Sequence, residues 1–317
     1  MTRLFNEHEP LALRMNLSFK DIKKNTNDST FIPSVLYYQV GEKWDSIKIS
    51  VRSRGFFRKA NCFFTPLHIK IKKEHAKGTL FEGNKSLKLV LPCETSKNNN
   101  SLLMKEYICY KMYEHITPYV FNTRLVNIDL SEGTGGKTKK YQITAFFIED
   151  DDLVAKRHHA KVVEDEKIHP LALQDTSAAR YYLFQYLIAN TDWSTTLSHN
   201  TKTIKIEPRK LIPLAYDFDM AGFVDAPYAT TTEELNLTSV RERLYRGFCP
   251  RNETAVRYVR QQFIDSEPQL RKEITNYENS FDPKEVIKMN KFLDEFFKIL
   301  KNDSEFQTKI INGCRKN

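Results

Sequence analysis

Two short stretches in the second half of the chain carry residue types able to hold a metal and a phosphate. Asn190-Thr191-Asp192-Trp193 closes an apolar run, and Ser198-His199-Asn200 follows, with Asn200 eight positions after Asp192. Next, Leu211-Ile212-Pro213-Leu214-Ala215-Tyr216 leads into Asp217-Phe218-Asp219, an apolar strand pattern that delivers two acids at its end. Carboxylates and an Asn amide are hard oxygen ligands of the kind Mg²⁺ prefers, and Mg²⁺ usually reaches a protein through one or two carboxylates plus substrate phosphates. Taken singly, the first stretch reads as a capped helix C-terminus and the last as a turn with solvated acids. Their order along the chain joins them into one hypothesis.

The elements that would position these residues follow from patterning. Short runs such as LALRMNLSF, FIPSVLYYQV and WDSIKISVR alternate apolar and polar residues and predict strands over 11–51. The alternation resumes over 67–71 and 86–91, until Pro92 and the polar run 96–101 end it. A helix is predicted over 102–115 with Ser101 as its N-cap, followed by strands over 123–130 and 141–148. Gly133, Gly135, Gly136 and Lys137 resemble a phosphate loop in composition, but a strand follows them, so they read as a hairpin turn. Helical periodicity marks 178–189, 239–248, 253–265, 269–277 and 283–300. Glu149 to Asp152 lack the spacing of a calcium loop, Asp150 to Asp152 read as a solvated turn, and His158-His159 reads as a surface pair.

An Asp, then an Asn, a hairpin and an Asp at a strand end is the order in which kinases place a hydroxyl-orienting Asp and two metal ligands. Such chemistry also needs a Lys on the nucleotide phosphates, oriented by a helix Glu. Lys70 and Lys88 both lie on predicted strands ahead of the helix carrying Glu106, and the choice between them stays open. Arg52 and Arg54 beside Gly55 form a second phosphate clamp on paper, because a guanidinium fork suits phosphate.

Together these stretches resemble the CotH kinase family, atypical kinases first associated with spore coats, and related Bacteroidetes-type proteins, over about residues 35–300. The likeness rests on Val51-Arg52-Ser53-Arg54-Gly55, Pro66-Leu67-His68-Ile69-Lys70-Ile71, the strand 85–92, the helix 102–114 and Ala145-Phe146-Phe147-Ile148-Glu149. Asn190-Thr191-Asp192, His199-Asn200 and Tyr216-Asp217-Phe218-Asp219 are its most specific parts. The resemblance implies an α+β, two-lobed atypical protein-kinase-like fold, with a strand-rich N-terminal lobe over 1–150 and a mainly helical C-terminal lobe over 151–317. It implies ATP and Mg²⁺ or Mn²⁺ as cofactors and a protein hydroxyl as acceptor. Asp192 would be catalytic, Asn200, Asp217 and Asp219 metal-binding, and Lys70, Lys88, Glu106, Arg54 and Glu149 nucleotide-binding. Two departures stand out: the interval from Asp192 to Asn200 is longer than in kinase catalytic loops, and no GxGxxG is present. A catalytically inactive module that binds nucleotide or an envelope or coat partner is the alternative reading.

Composition bounds these readings. The 317 residues, 40% of them hydrophobic, suffice for one large domain or two smaller ones. Lys and Arg number 49 against 40 acids, a net charge of +9 that favours an acidic or phosphorylated partner. No nucleic-acid-binding motif accompanies that charge, which leaves a nucleic-acid binder or metal-dependent nuclease as a distant alternative. No window is apolar enough to span a membrane. The family resemblance implies a secreted or periplasmic protein, whereas residues 1–10 lack the apolar core of a signal peptide and keep a cytoplasmic location open. Five widely spaced cysteines without CxxC spacing predict neither a zinc site nor a disulfide framework.

Overall fold

Alternation along the first strands puts Leu11, Leu13, Met15 and Leu17 on one face, and Ile47, Ile49 and Val51 do the same two strands later. In the computed structural model, which describes residues 1–95, 97–134, 137–164 and 167–316 (backbone only at 97–99 and 134), these faces line the inside of a barrel. The strands are β1 (Leu11–Leu17), β2 (Ile32–Val40), β3 (Lys43–Ser53), β4 (Leu67–Lys70), β5 (Ser86–Val90), β6 (Thr123–Thr134) and β7 (Lys137–Ile148). Among the described residues these seven close in the order β1-β2-β3-β4-β5-β7-β6. Neighbours are antiparallel except β1 and β6, which run parallel with Leu13 opposite Ile128. Phe81 plugs the interior, edge-on to Tyr38 at 5.0 Å and to Phe147 at 6.1 Å.

This closed mixed barrel, followed by a helical C-terminal region, corrects the expected two-lobed kinase-like fold. Alternation identifies a strand and its inward face, but it does not name the partner. The closing β1–β6 pair joins segments more than a hundred residues apart, and no local pattern encodes it.

The chain divides into two units, the first comprising Met1–Leu103 and Phe121–Leu153, the second Met104–Val120 and Val154–Asn317. Around the barrel the first unit carries α1 (Arg3–Asn6), α2 (Phe19–Asn25), α3 (Phe57–Asn61) and α4 (Lys73–Ala76). Helix α5 (Lys97–Glu114) is divided between the units, as is α6 (Asp151–Arg157). Helix α5 starts four residues before the predicted cap Ser101. The acids read as a solvated turn instead open α6, where Asp150 Oδ1 accepts the Asp152 N–H at 3.2 Å. The turn glycines Gly135 and Gly136 lie outside the described residues.

In the second unit β8 (Lys161–Val163), β9 (Thr201–Ile206) and β10 (Lys210–Ala215) form a sheet in the order β10-β9-β8. The remaining helices are α7 (Asp175–Leu187), α8 (Glu253–Asn276), α9 (Pro283–Lys301) and α10 (Asp303–Phe306). Helix α8 merges the two helices predicted at 253–265 and 269–277 across Pro268, because its buried stripe of Val256, Val259, Phe263, Leu270 and Ile274 is continuous. The helix predicted at 239–248 is absent, and that segment is irregular. Two of its arginines reach distant backbone carbonyls: Arg243 Nη2 donates to Phe292 O at 2.6 Å, and Arg246 Nη1 donates to Thr191 O.

The cysteines also correct the sequence reading. Cys62 pairs with Cys93 in the first unit, and Cys249 with Cys314 in the second, while Cys109 is a buried thiol. Pairs separated by 31 and 65 residues carry no spacing signature, so only the fold reveals them.

Candidate functional site

Helix α7 buries nearly every residue from Ser177 to Leu187, so the chain leaving it is anchored. Ala189 then takes a left-handed φ of 49°, and the following N–H, of Asn190, donates back to Gln185 O at 2.8 Å. Asn190 is buried and organises the next turn: its Oδ1 accepts the Asp192 N–H at 3.0 Å, and its carbonyl accepts Trp193 Nε1–H at 3.0 Å. Trp193 packs on Tyr182 and Tyr181, with ring centroids 5.5 and 5.2 Å away. Asp192 is thereby presented from a turn fixed on both sides.

Asn200 returns to Asp192 because the intervening residues fold into a hairpin. Ser194 and His199 exchange backbone hydrogen bonds of 2.9 and 3.0 Å, and Ser198 and Asn200 adopt left-handed φ values of 52° and 48°. Asn tolerates that conformation better than most residues. Asn200 Nδ2 donates to the Asp192 carbonyl at 2.8 Å and to its Oδ2 at 2.9 Å. His199 Nε2–H reaches the other carboxylate oxygen, Oδ1, at 2.8 Å. The long interval noted in the sequence is therefore taken up by the hairpin, and the two side chains still meet.

The β9–β10 register brings in the third residue. Thr201 lies opposite Ala215, and the Tyr216 N–H points at Asn200 O at 3.5 Å, which leaves Asp217 one step beyond. Asp217 sits at φ 65° and its N–H donates to Tyr110 Oη at 2.8 Å. Phe218 is fully buried against Tyr110 and Phe184, with centroids 4.6 and 5.6 Å away, which anchors the backbone between the two acids. Asp219 is itself buried, and its Oδ2 accepts a hydrogen bond from Tyr228 at 3.3 Å. The chain then returns to its start: the N–H groups of Gly222 and Phe223 donate to Ala189 O and Ile188 O at 3.1 and 3.0 Å.

The oxygen donors in this turn are of the type a hard divalent cation takes. Both bonds from the Asn200 amide nitrogen go to Asp192, so its Oδ1 is the atom suited to a metal, and Asp217 adds a carboxylate. Among the described residues no three His, Cys, Asp or Glu side chains cluster as metal ligands. A metal held here would need substrate phosphates to complete its shell, the usual Mg²⁺ arrangement.

The remaining sequence-predicted residues are distributed over both units. Glu106 lies buried in α5 within the second unit. In the first unit His68 and Lys88 face each other across β4 and β5, and Lys70 pairs with Ser86. Lys70 Nζ and the Arg52 guanidinium both lie over Phe31, at 4.3 and 5.5 Å, and His68 is edge-on to the same ring at 5.4 Å. Lys88 Nζ sits 4.9 Å from the Phe121 ring. Burial, aided by the charges of Arg52, Arg54, Lys88 and Lys70, lowers the His68 pKa from 6.5 to about 4. Glu149 is buried and its Oε2 accepts the Asn122 N–H at 3.0 Å, which gives its carboxylate a structural duty.

Sequence reasoning missed Tyr110, Arg246 and Gly222, and it did not assign His199 its bond to Asp192. A hydroxyl on a distant helix leaves no spacing signal, whereas the adjacency of His199 to Asn200 could have suggested a shared partner. No family model matches this chain, and no curated protein is significantly similar to it.

Proposed function

We propose that the chain transfers phosphate from ATP to a protein hydroxyl in a divalent-metal-dependent reaction, with Asp192, Asn200 and Asp217 at the centre. The observation that carries this reading is the clamp of Asn200 on Asp192, set beside Asp217 by the β9–β10 register. Asp192 would orient the acceptor hydroxyl, Asn200 Oδ1 and Asp217 would hold the metal, and Asp219 would orient that pair or serve a second ion. Bound metal and ATP would supply a neutralised, transferable phosphoryl group. The protein's own work is positioning: two fixed donors on Asp192 set where a hydroxyl proton can go. The barrel separately carries a cation cluster of Arg52, Arg54, Lys70 and Lys88, suited to the oxygens of an anion. The resemblance to the CotH family rests on these same residues.

The two disulfides support a secreted or periplasmic setting, where such bonds persist. A non-catalytic nucleotide-binding module is the second reading. It is favoured by one observation: both Asp192 oxygens already accept hydrogen bonds, which occupies lone pairs that an acceptor hydroxyl would use.

Calorimetry with ATP and Mg²⁺ or Mn²⁺ tests the site. Binding to the parent protein should weaken at least about tenfold in Asp217→Ala, the loss expected when the charged one of the metal's two protein ligands goes. Equal affinity in the variant would remove Asp217 from the metal site.

A further inference from the structure

The loop carrying Asp192 is held from outside itself by one side chain. Arg246 Nη1 donates to the carbonyl of Thr191 and, at 3.3 Å, to that of Trp193, so it grips the residues on both sides of Asp192. Its guanidinium also lies 5.3 Å from the centre of the Trp193 ring. The segment bearing Arg246 is irregular, and it gains its order from the end of the chain. Arg315 N–H donates to Gly247 O at 2.8 Å, Cys249 N–H donates to Arg315 O at 2.9 Å, and Cys249 is crosslinked to Cys314. The Arg315 guanidinium covers the Phe248 ring at 4.6 Å. Gly247 is pressed so closely that a Cβ there would lie 2.5 Å from the Tyr245 ring and 2.9 Å from Tyr182 Cβ. Tyr182 in turn stacks on Trp193.

We propose that Arg246 is a positioning residue for the phosphoryl-transfer site: it sets the stance of the Asp192 carboxylate, and the crosslinked C-terminal tail fixes Arg246. The proposal deepens the function given above and rests on Asp192 as the hydroxyl-orienting group. A guanidinium suits the task because its fork of donors can serve two carbonyls while its flat face lies along an indole, whereas a Lys offers one point charge. An effect of the tail residues on transfer would pass through Arg246 to the Asp192 loop.

Chemical rescue provides the test. In a Trp44→Phe background, where Trp193 is the remaining tryptophan, Arg246→Ala should shift Trp193 emission and lower kcat for phosphate transfer by about tenfold to a hundredfold, the cost of a small misplacement. The KM for ATP should stay within about twofold, since a loss confined to kcat marks an interaction made in the transition state. Millimolar guanidinium chloride should restore both emission and kcat, and sodium chloride at equal ionic strength should not. Cys249→Ser with Cys314→Ser should reproduce the loss of kcat at unchanged KM. Unchanged kcat in Arg246→Ala, or a loss that guanidinium leaves untouched, would overturn the proposal. If Arg246→Ala fails to fold, Arg246→Lys serves: a folded variant with parental kcat and emission would refute the assignment. If the parent transfers no phosphate, the functional reading has failed on its own. Trp193 emission and its rescue then still decide whether Arg246 sets the loop, and an unshifted emission refutes it.

Discussion

The Asp192 loop and the cation cluster on the barrel hold their functional groups by opposite means. Around Asp192, polar groups are interlocked: Asn190, Asn200, His199 and Arg246 each bind the loop, and a Tyr110 hydroxyl anchors Asp217. On the barrel, Arg52, Arg54, Lys70 and Lys88 set four positive charges about a half-buried His68, with Asp28 paired to Arg52 at 2.9 Å. A network of satisfied hydrogen bonds fixes geometry, which is what orienting a hydroxyl and a metal demands. Crowded cations store a preference for an anion, which is what gripping phosphate demands. The contrast implies that disturbing the first region should damage geometry, whereas the second should respond chiefly to charge.

The largest effect should come from Gly222→Ala. A Cβ there would meet Val240 O at 2.2 Å and Arg241 Cα at 2.8 Å, both backbone atoms that cannot swing aside. Because Gly222 also donates to Ala189 O, the strain would enter the turn before Asp192. Thermal or denaturant unfolding followed by Trp193 emission should register a loss of about 3 kcal/mol, at the upper end for overpacking. A loss near zero would mean that this network is softer than its hydrogen bonds imply.

On the barrel the effect should be one of charge. The folded His68 pKa of about 4 lies below its ordinary 6.5, so the unfolded chain takes up the proton first. His68 therefore favours the native barrel fully above pH 6.5, and that contribution is lost as pH falls toward 4. An anion among the four cations would reverse part of the shift. An NMR titration should find the His68 pKa raised by ATP with Mg²⁺ by about one unit or more. An unmoved pKa at saturating ATP would place the phosphates elsewhere.

Tyr110→Phe should have the smallest effect. It deletes the acceptor of the Asp217 N–H at little change in volume, costing about 1 kcal/mol of stability. The metal concentration needed for half-maximal activity should rise, which a Mg²⁺ titration can follow. A parental metal dependence would show that Asp217 holds its strained φ without help.

The turns that carry Asp192, Asn200 and Asp217 were legible in the sequence because local patterns lead into them. Apolar runs ending in Asn190-Thr191-Asp192 and in Asp217-Phe218-Asp219 mark where buried elements emerge, and the alternation in β1 to β5 marks inward faces. What stayed hidden depends on long-range closure. The parallel β1–β6 pair, both disulfides and the reach of Tyr110 to Asp217 join residues whose proximity no pattern of period 2 or 3.6 encodes. The segment 239–248 shows the converse failure. Its periodicity suits a helix, but Arg243 and Arg246 serve distant carbonyls, and tertiary partners override local propensity.

The most direct measurement is the rate of labelled phosphate transfer from ATP by the parent protein and by Asp192→Asn, with ATP affinity determined on the same samples. The substitution keeps size while replacing the carboxylate, whose two oxygens accept from His199 and Asn200, by an amide with one accepting oxygen and one donating nitrogen. The account predicts transfer by the parent, a loss of about a hundredfold or more in the variant, and ATP affinity little changed. Equal transfer rates in the two proteins, or an absence of transfer by a parent that binds ATP and metal, would contradict it.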